Sequence, residues 1–369
     1  MGSEGHVKVQ FAALRPGSAE SSGLLILVDA ETLSTKQIEH RPYRTARWQN
    51  KFQMFRQLKT LKVMFLGAGK RLSLLERFQV AASIEGIAVN MYSVEWTRRE
   101  PIATIASVIE GPSFDTEECG QFLLDVARQF EIDIIIPNTD PAVIALSKLK
   151  SRLAESGIWA VISNPDLCAS MYDKTVADSW FRRYGLAVPN GNNYPLVVKY
   201  RLGSGGRDQF LANHEDEFRA FISHRNAEDY FIQPYVHGQE YTVDAYVTRS
   251  GRTLGSLSRK RIAVVGGEVS VSETFRHEGI LNATARVLSV EGWEGPITLQ
   301  FIDGPHGPVL IEVNPRFGGG VTHSIHCGLD MPRWILMECM ELPVDPAPEW
   351  PDGSFMTRCR RDIFYDDFN

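Results

Sequence analysis

From Leu61 onward, short apolar runs alternate with stretches of helical spacing: KVMFLG, LSLLERFQVAASIEG, IAVNMYSVEW, CGQFLLDVARQF and DIIIPNTD follow one another. A strand, a helix and a further strand bring the chain back to one sheet, so this order predicts a parallel sheet with crossover helices. LSKLKSRLAESG and the strand-like WAVISN continue the pattern. In an open parallel sheet, ligands sit beyond the C-terminal ends of the strands. That rule marks Gly67 to Arg71 in FLGAGKRLSLL, and Asn138 to Asp140 in IIIPNTDPAV, as candidates for contacting a substrate. FLGAGKR followed by Glu95 at the end of the next strand mimics part of a dinucleotide fingerprint, but Leu72 stands where its third glycine belongs.

The pattern then changes. One helix is expected from Pro165 or Asp166 through DKTVADSWFRRYG, with Gly185 as its C-terminal stop. PLVVKY and DQFLA read as a hairpin across a glycine-rich loop, FIQPYV and YTVDAYV as strands broken at HGQE, and GPITLQFIDGPHGPVLIEVNP as two strands joined by a Gly/Pro turn. EGILNATARVLSVEGW has helical spacing. Residues 1–60 contain a strand-like LLILVDA and the Arg-rich RPYRTARWQNKFQMFRQ, and read as an extension of unknown role.

Composition narrows the partners. A chain of 369 residues with 43% apolar content can fill more than one core. Its formal net charge of -6, with both signs interspersed, proposes neither nucleic acid nor an anionic membrane. The five cysteines form no CxxC pair, which argues against a disulfide framework or a zinc cluster. No signal peptide and no membrane-spanning run is visible, so the expectation is a soluble, cytoplasmic protein with small-molecule partners.

Four features bear chemistry. In IEVNPRFGGG, Glu312, Asn314 and Arg316 fall on one face of a strand. The preceding turn GPHG brings Gln300 near Glu312, which makes an oxygen-rich set suited to a hard cation; a solvated sheet face would give the same alternation. In VVKYRLGSGGRDQF, Lys199 ends an apolar strand before Gly203, Ser204, Gly205 and Gly206, a loop able to turn backbone N–H groups toward an anion. It is not a Walker A loop, and an ordinary hairpin loop would look alike. Lys174 sits in the first turn of a helix, and QPYVHGQE bends an otherwise apolar strand at Pro234.

In their order, a helix lysine, a strand lysine before a glycine loop, QPYVxGQE, and Gln300 paired with E-x-N-P-R, these features resemble the ATP-grasp superfamily. The likeness is strongest to single-module proteins related to the carbamoyl-phosphate synthase large subunit, and it covers about Leu61 to Met340. It implies an α/β fold: a Rossmann-like N-terminal domain over residues 61–165, a small nucleotide-binding subdomain over 166–245 and a C-terminal metal-binding subdomain over 246–369. It implies that Lys174 and Lys199 hold the nucleotide phosphates under the Gly203–Gly206 lid, that Gln233, Tyr235 and Val236 meet the adenine, and that Glu240 holds the ribose. Gln300, Glu312 and Asn314 match the ligands of Mg²⁺ (or Mn²⁺), and Arg316 the residue that holds the transferring phosphoryl group. Lys260 and Arg261, in SRKR, lie where the family keeps basic residues facing phosphate or acid; a solvated charge cluster reads equally well.

The implied activity is an ATP- and Mg²⁺-dependent carboxylate–amine ligase that passes through an acyl phosphate. Its partners are a small acid and an amine, and a homodimer stays open as an assembly. A phosphotransferase and a nucleotide-binding pseudoenzyme or sensor are the alternatives. Gly318, Gly319 and His323 join Asp140 and Arg71 as candidates for substrate contact. His323, His326 and Cys327 do not complete the four ligands of a structural zinc. Three departures from the family pattern stand out: Gln300 is neutral where relatives also carry acids, the segment before Pro195 is short, and Pro234 replaces a common Glu.

Overall fold

The computed structural model describes residues 60–203 and 209–365. The expected extension over residues 1–60 lies almost wholly outside them, as do Ser204, Gly205 and Gly206. Membership of α-helices and strands follows the periodicities above, with three sheets.

The first sheet is parallel, in the order β3-β2-β1-β4-β5, from β1 (Leu61–Leu66), β2 (Val89–Glu95), β3 (Ser107–Glu110), β4 (Ile134–Pro137) and β5 (Trp159–Ala160). Helices α1 (Leu72–Glu85), α2 (Cys119–Gln129) and α3 (Asp140–Glu155) are the crossovers. Strand order reverses between β1 and β4, where Gly67 and Thr139 meet; a Cβ on Gly67, whose φ is +69°, would lie 2.9 Å from the Thr139 methyl. The expected fingerprint loop is already occupied. The buried Glu95 carboxylate accepts from the Ala68 N–H at 2.7 Å and from Ser93 Oγ at 2.5 Å, so this acid braces the loop instead of facing a ribose.

The helix expected across residues 165–185 is two helices, α4 (Pro165–Tyr172) and α5 (Lys174–Arg183). Asp173 breaks them. Its backbone is extended, its carboxylate accepts from the Thr175 and Val176 N–H groups as the cap of α5, and Arg201 grips it with Nη2 at 2.6 Å. Gly185, at φ +66°, then ends α5 as expected.

The hairpin of β6 (Leu196–Tyr200) and β7 (Phe210–Ala212) joins β8 (Tyr230–Pro234) in a three-stranded antiparallel sheet, covered by α6 (Glu215–Ile222) through the stacked rings of Phe210 and Phe221. Next come β9 (Gln239–Val247), β10 (Thr253–Val265), β11 (Glu268–Thr274), α7 (Glu278–Leu288), β12 (Gly295–Gly304), β13 (Gly307–Asn314), α8 (Val321–His326), α9 (Met331–Cys339) and β14 (Phe355–Thr357). Their strands form a six-stranded sheet in the order β13-β12-β9-β10-β11-β14. A boundary at residue 245 would cut β9, the interior strand that pairs with both β10 and β12. Leu167, Met171, Ala177 and Phe181 of α4 and α5 also share a core with Val243, Leu299 and Val313 of this sheet. Those helices therefore pack on the large sheet, and the junction between them also reaches the small one through Asp173 and Arg201.

A second core joins the parallel sheet to the large sheet. Val63, Phe65 and Phe78 pack with Phe317, Val321, Ile325 and Trp334. Phe78 lies edge-on to Phe65 at 5.0 Å and to Phe317 at 6.1 Å. Burying these rings removes several hundred Å² of apolar surface from water, and it fixes the end of β1 against the residues that follow β13.

Candidate functional site

The large sheet has one polar face. Direct cross-strand pairs share a face, and the register pairs Thr298 with Asp244 and with Asn314, Gln300 with Thr242 and with Glu312, and Ile302 with Glu240. Gln300 and Glu312 are near each other as expected, and a register shift between Gln300 and Phe301 makes them direct partners, so Glu240, Gln300, Glu312 and Asn314 lie on one side. The opposite face carries Tyr241, Val243, Leu299 and Phe301, which are buried against α4, α5 and α7.

Two lysines approach the polar face. Lys174 opens α5, and its ammonium donates to the Gly203 carbonyl. Lys199 lies at the end of β6 opposite Phe231. Burial lowers the pKa of both, and the Glu312 carboxylate opposes that shift in both. Lys174, Gln233 and Glu312 line one narrow cleft with Phe231 and Leu310. Residues from three separate motifs, far apart in the chain, thereby meet.

Beyond Asn314, the chain turns toward the parallel sheet. Arg316 Nε lies 2.6 Å from Asp140 Oδ1 at the start of α3. The Asp140 carboxylate outweighs burial and holds the Arg316 guanidinium above its ordinary value. Asn138, 4% exposed, leaves its Oδ1 without a hydrogen-bond partner at the same strand end. The glycines that follow are required by what lies behind them. A Cβ on Gly318 would meet Thr298 Oγ1 at 2.8 Å and Asp244 Oδ1 at 3.0 Å, and one on Gly320 would meet Arg259 Nη1 at 2.6 Å.

Asp244 and Arg259 form a fully buried ion pair at 2.6 Å, with Ser324 Oγ donating to the same carboxylate at 2.6 Å. They were missed in the sequence, although a lone acid inside YTVDAYV was a signal: a charge in an apolar strand needs a buried partner.

Residues 226–359 match the family model described as "ATP-grasp in the biosynthetic pathway with Ter operon". The carbamoyl phosphate synthase large chain of Clostridium beijerinckii is 21% identical over 292 residues, 69% of this chain and 27% of that one. The chain is thus similar to ATP-grasp proteins.

A D-alanine–D-alanine ligase of Petrotoga mobilis is 24% identical over 115 residues, 28% of this chain and 38% of that one. The chain thus spans well under half the length of the curated relatives it matches. Among solved structures, the ATP-grasp fold is shared with an N5-carboxyaminoimidazole synthetase from Staphylococcus aureus complexed with ADP, at TM-score 0.62 and 14% identity over 81% of this chain and 82% of that one. It is also shared with the biotin carboxylase domain of a Hydrogenobacter thermophilus 2-oxoglutarate carboxylase in complex with MgADP, ADP and bicarbonate, at TM-score 0.62 and 16% identity over 80% and 73% of the two chains.

Several expected ATP-grasp positions are corrected by the geometry. Lys260 is on the wrong face: it pairs in register with Tyr241, stands 3.8 Å from the Phe275 ring centre and lies 3.4 Å from Glu273. Its neighbour Arg261 takes the polar face instead, with Nε 3.0 Å from Glu240 Oε1. Alternation explains the exchange, since a one-residue step in a strand turns the side chain over. Tyr235 donates its backbone N–H to the Pro195 carbonyl at 2.8 Å, so only its carbonyl and ring could meet a base; Val236 packs against Gly304.

His323 is buried, with Nδ1 2.8 Å from Ser272 Oγ and Nε2 3.2 Å from Ser354 Oγ. Burial and Arg259 lower its pKa to about 4. With both ring nitrogens engaged by serines, it braces the wall of the cavity that Arg71 and Gly319 also line. Arg71, Gly318 and Gly319 do meet, since Arg71 Nη2 donates to the Gly318 carbonyl at 2.6 Å. Arg71 and Gly319 border a cavity separate from the narrow cleft.

Proposed function

We propose that this chain is an ATP- and Mg²⁺-dependent carboxylate–amine ligase. The observation that carries the proposal is the meeting of Lys174, Gln233 and Glu312 in one cleft, with Lys199 close enough to feel the same carboxylate. Buried ammonium groups beside a single carboxylate form a cationic pocket suited to a polyphosphate.

The donor set fits the metal. Gln300, Glu312 and Asn314 offer only oxygen ligands on adjacent strands, and only one of them is charged. Among the described residues no cluster of three or more His, Cys, Asp or Glu exists that could hold a metal alone. Mg²⁺ suits such a site because it takes one or two protein carboxylates and completes its shell with phosphate and water; when bound, it would neutralise charge developing on the phosphates.

The proposed steps balance. A carboxylate oxygen of the acid attacks the γ-phosphorus, the bond to the β-phosphate oxygen breaks, and ADP leaves. An amine nitrogen then attacks the acyl carbon, the bond to the phosphate oxygen breaks, and the nitrogen loses a proton. Lys174 and Lys199 bind the phosphates, Arg316 orients the transferring group from the end of β13, and Glu240 would hold the ribose. Gly203 begins the lid. Magnesium, the acyl phosphate and a cytoplasmic location all belong to this reading, as does the pairing of a small acid with an amine.

A phosphate-release screen of amino acids and small acids, singly and in pairs with amines, tests it. The expected result is phosphate release that depends on both an acid and an amine, with an amide product by mass. Release that never depends on an amine supports the phosphotransferase alternative instead, and ATP binding without any release supports the sensor.

A further inference from the structure

The large cavity, of about 720 Å³, lies where the N-terminus of α1 meets the C-terminal segment. After β14 pairs with β11, residues 358–365 cross from the large sheet to the parallel domain. Arg361 Nη1 reaches Glu76 at 2.9 Å, and the Tyr365 hydroxyl donates to the Glu100 carbonyl at 2.9 Å. This strap closes one side of the cavity. Arg358 on the strap donates to the Gly319 carbonyl, and Arg71 on the other side donates to the Gly318 carbonyl. Two guanidinium groups from opposite ends of the chain thus clamp consecutive peptides of the glycine loop.

The charges around this cavity do not balance. Five cationic side chains and two carboxylates line it. Both carboxylates are engaged by strap arginines, Glu268 with Arg358 at 2.5 Å and Glu76 with Arg361 at 2.9 Å, which leaves a surplus of three positive charges. Arg71 lies close enough to Arg316 and Arg358 for both to disfavour its charge, after burial itself. The first turn of α1 adds partial positive charge, because no side chain caps it. Gathering guanidinium groups at a helix N-terminus costs free energy that an anion would recover.

We propose that this cavity holds the acid substrate, and that the acid carries a second negative group besides the carboxylate to be activated. Arg71 and Arg358 are its specificity-determining residues: Arg71 faces the Arg316 end, and Arg358 sets the distance at which the second anionic group is read. This inference rests on the ligase reading in taking the bound acid as the group that receives the γ-phosphate. The second group is a carboxylate or a phosphate, whose chemistry toward guanidinium is shared.

The test is calorimetric titration of the full chain with a series of acids: acetate, propionate, succinate, glutarate, citrate and 3-phosphoglycerate, with ADP titrated in parallel. Expected is binding about tenfold or more tighter for acids with a second charge than for monoacids, with the dicarboxylate and phosphorylated arms telling the two sources apart. Arg358→Gln, on an exposed strap, loses about tenfold of that preference and Arg358→Glu loses more. Arg71→Gln removes the preference as well, and near-native circular dichroism confirms that the loss is local. Equal affinity for mono- and dianions, or a preference unchanged in Arg358→Glu, overturns the proposal while leaving ADP binding and the ligase reading intact. Tight dianion binding without ADP binding keeps this site and sinks the ligase reading.

Discussion

Arg316 Nε and Asp140 Oδ1 are 2.6 Å apart, and through them the segment that follows β13 is tied to the first turn of a helix in the parallel domain. Both side chains are largely shielded, at 13% and 12% exposure, so the pair is screened less than a surface bridge. A guanidinium held at a fixed place in this way can orient a phosphoryl group without first being ordered. Removing the carboxylate while keeping the shape, in Asp140→Asn, should lower kcat by about tenfold with a smaller change in KM. Steady-state phosphate release measures both, and an unchanged kcat would remove Arg316 from the reacting centre.

Glu312 is the sole carboxylate in the Gln300, Glu312 and Asn314 set. Glu312→Ala should cut ADP formation by a hundredfold or more, on the order expected when a group stabilising developing charge is lost. The residue is only half-buried, so circular dichroism and thermal melting should change little. Full activity in this variant would refute the metal assignment.

Lys260 and Arg261 are adjacent but face opposite ways. Lys260→Ala should leave ATP KM unchanged and cost about 0.5–1 kcal/mol of stability through its lost contact with Phe275. Arg261→Ala, by freeing Glu240, should raise ATP KM by about tenfold. The reverse outcome would place the strand in the other register.

Asp244 and Arg259 are each fully buried and joined at 2.6 Å. Asp244→Ala should destabilise the protein by about 3–5 kcal/mol, because an uncompensated guanidinium then stays in the core. The urea midpoint reads this directly. A loss below about 1 kcal/mol would show that Arg259 finds another acceptor.

His323 has a pKa lowered from 6.5 to about 4 by burial and by Arg259. The unfolded chain therefore takes up this proton first. The stability held at neutral pH is intact above 6.5 and is lost as pH falls toward 4. By pH 5 this group alone accounts for about 2 kcal/mol of loss. His323→Gln should flatten the urea midpoint between pH 7 and 5, and an equal slope in both proteins would contradict the assignment.

Local patterns in the chain determined a great deal by themselves. Alternation of strands and helices gave the parallel sheet, and the GPHG turn brought Gln300 near Glu312, but a register shift between Gln300 and Phe301 completes their pairing. Strand parity placed Glu312 and Asn314 on one face. The family resemblance marked Lys260 and Arg261 without choosing a face, and the register puts Arg261 on the polar one. Only the tertiary structure decided which distant groups meet: α4 and α5 share the apolar core of the large sheet with α7. It also turned Glu95 inward to brace Ala68, and it brought Arg358 across to the loop that Arg71 holds from the other side. The physical reason is that periodicity specifies which side of an element is apolar. Which partner covers that side, and which charges are buried with it, is fixed by packing among segments hundreds of residues apart.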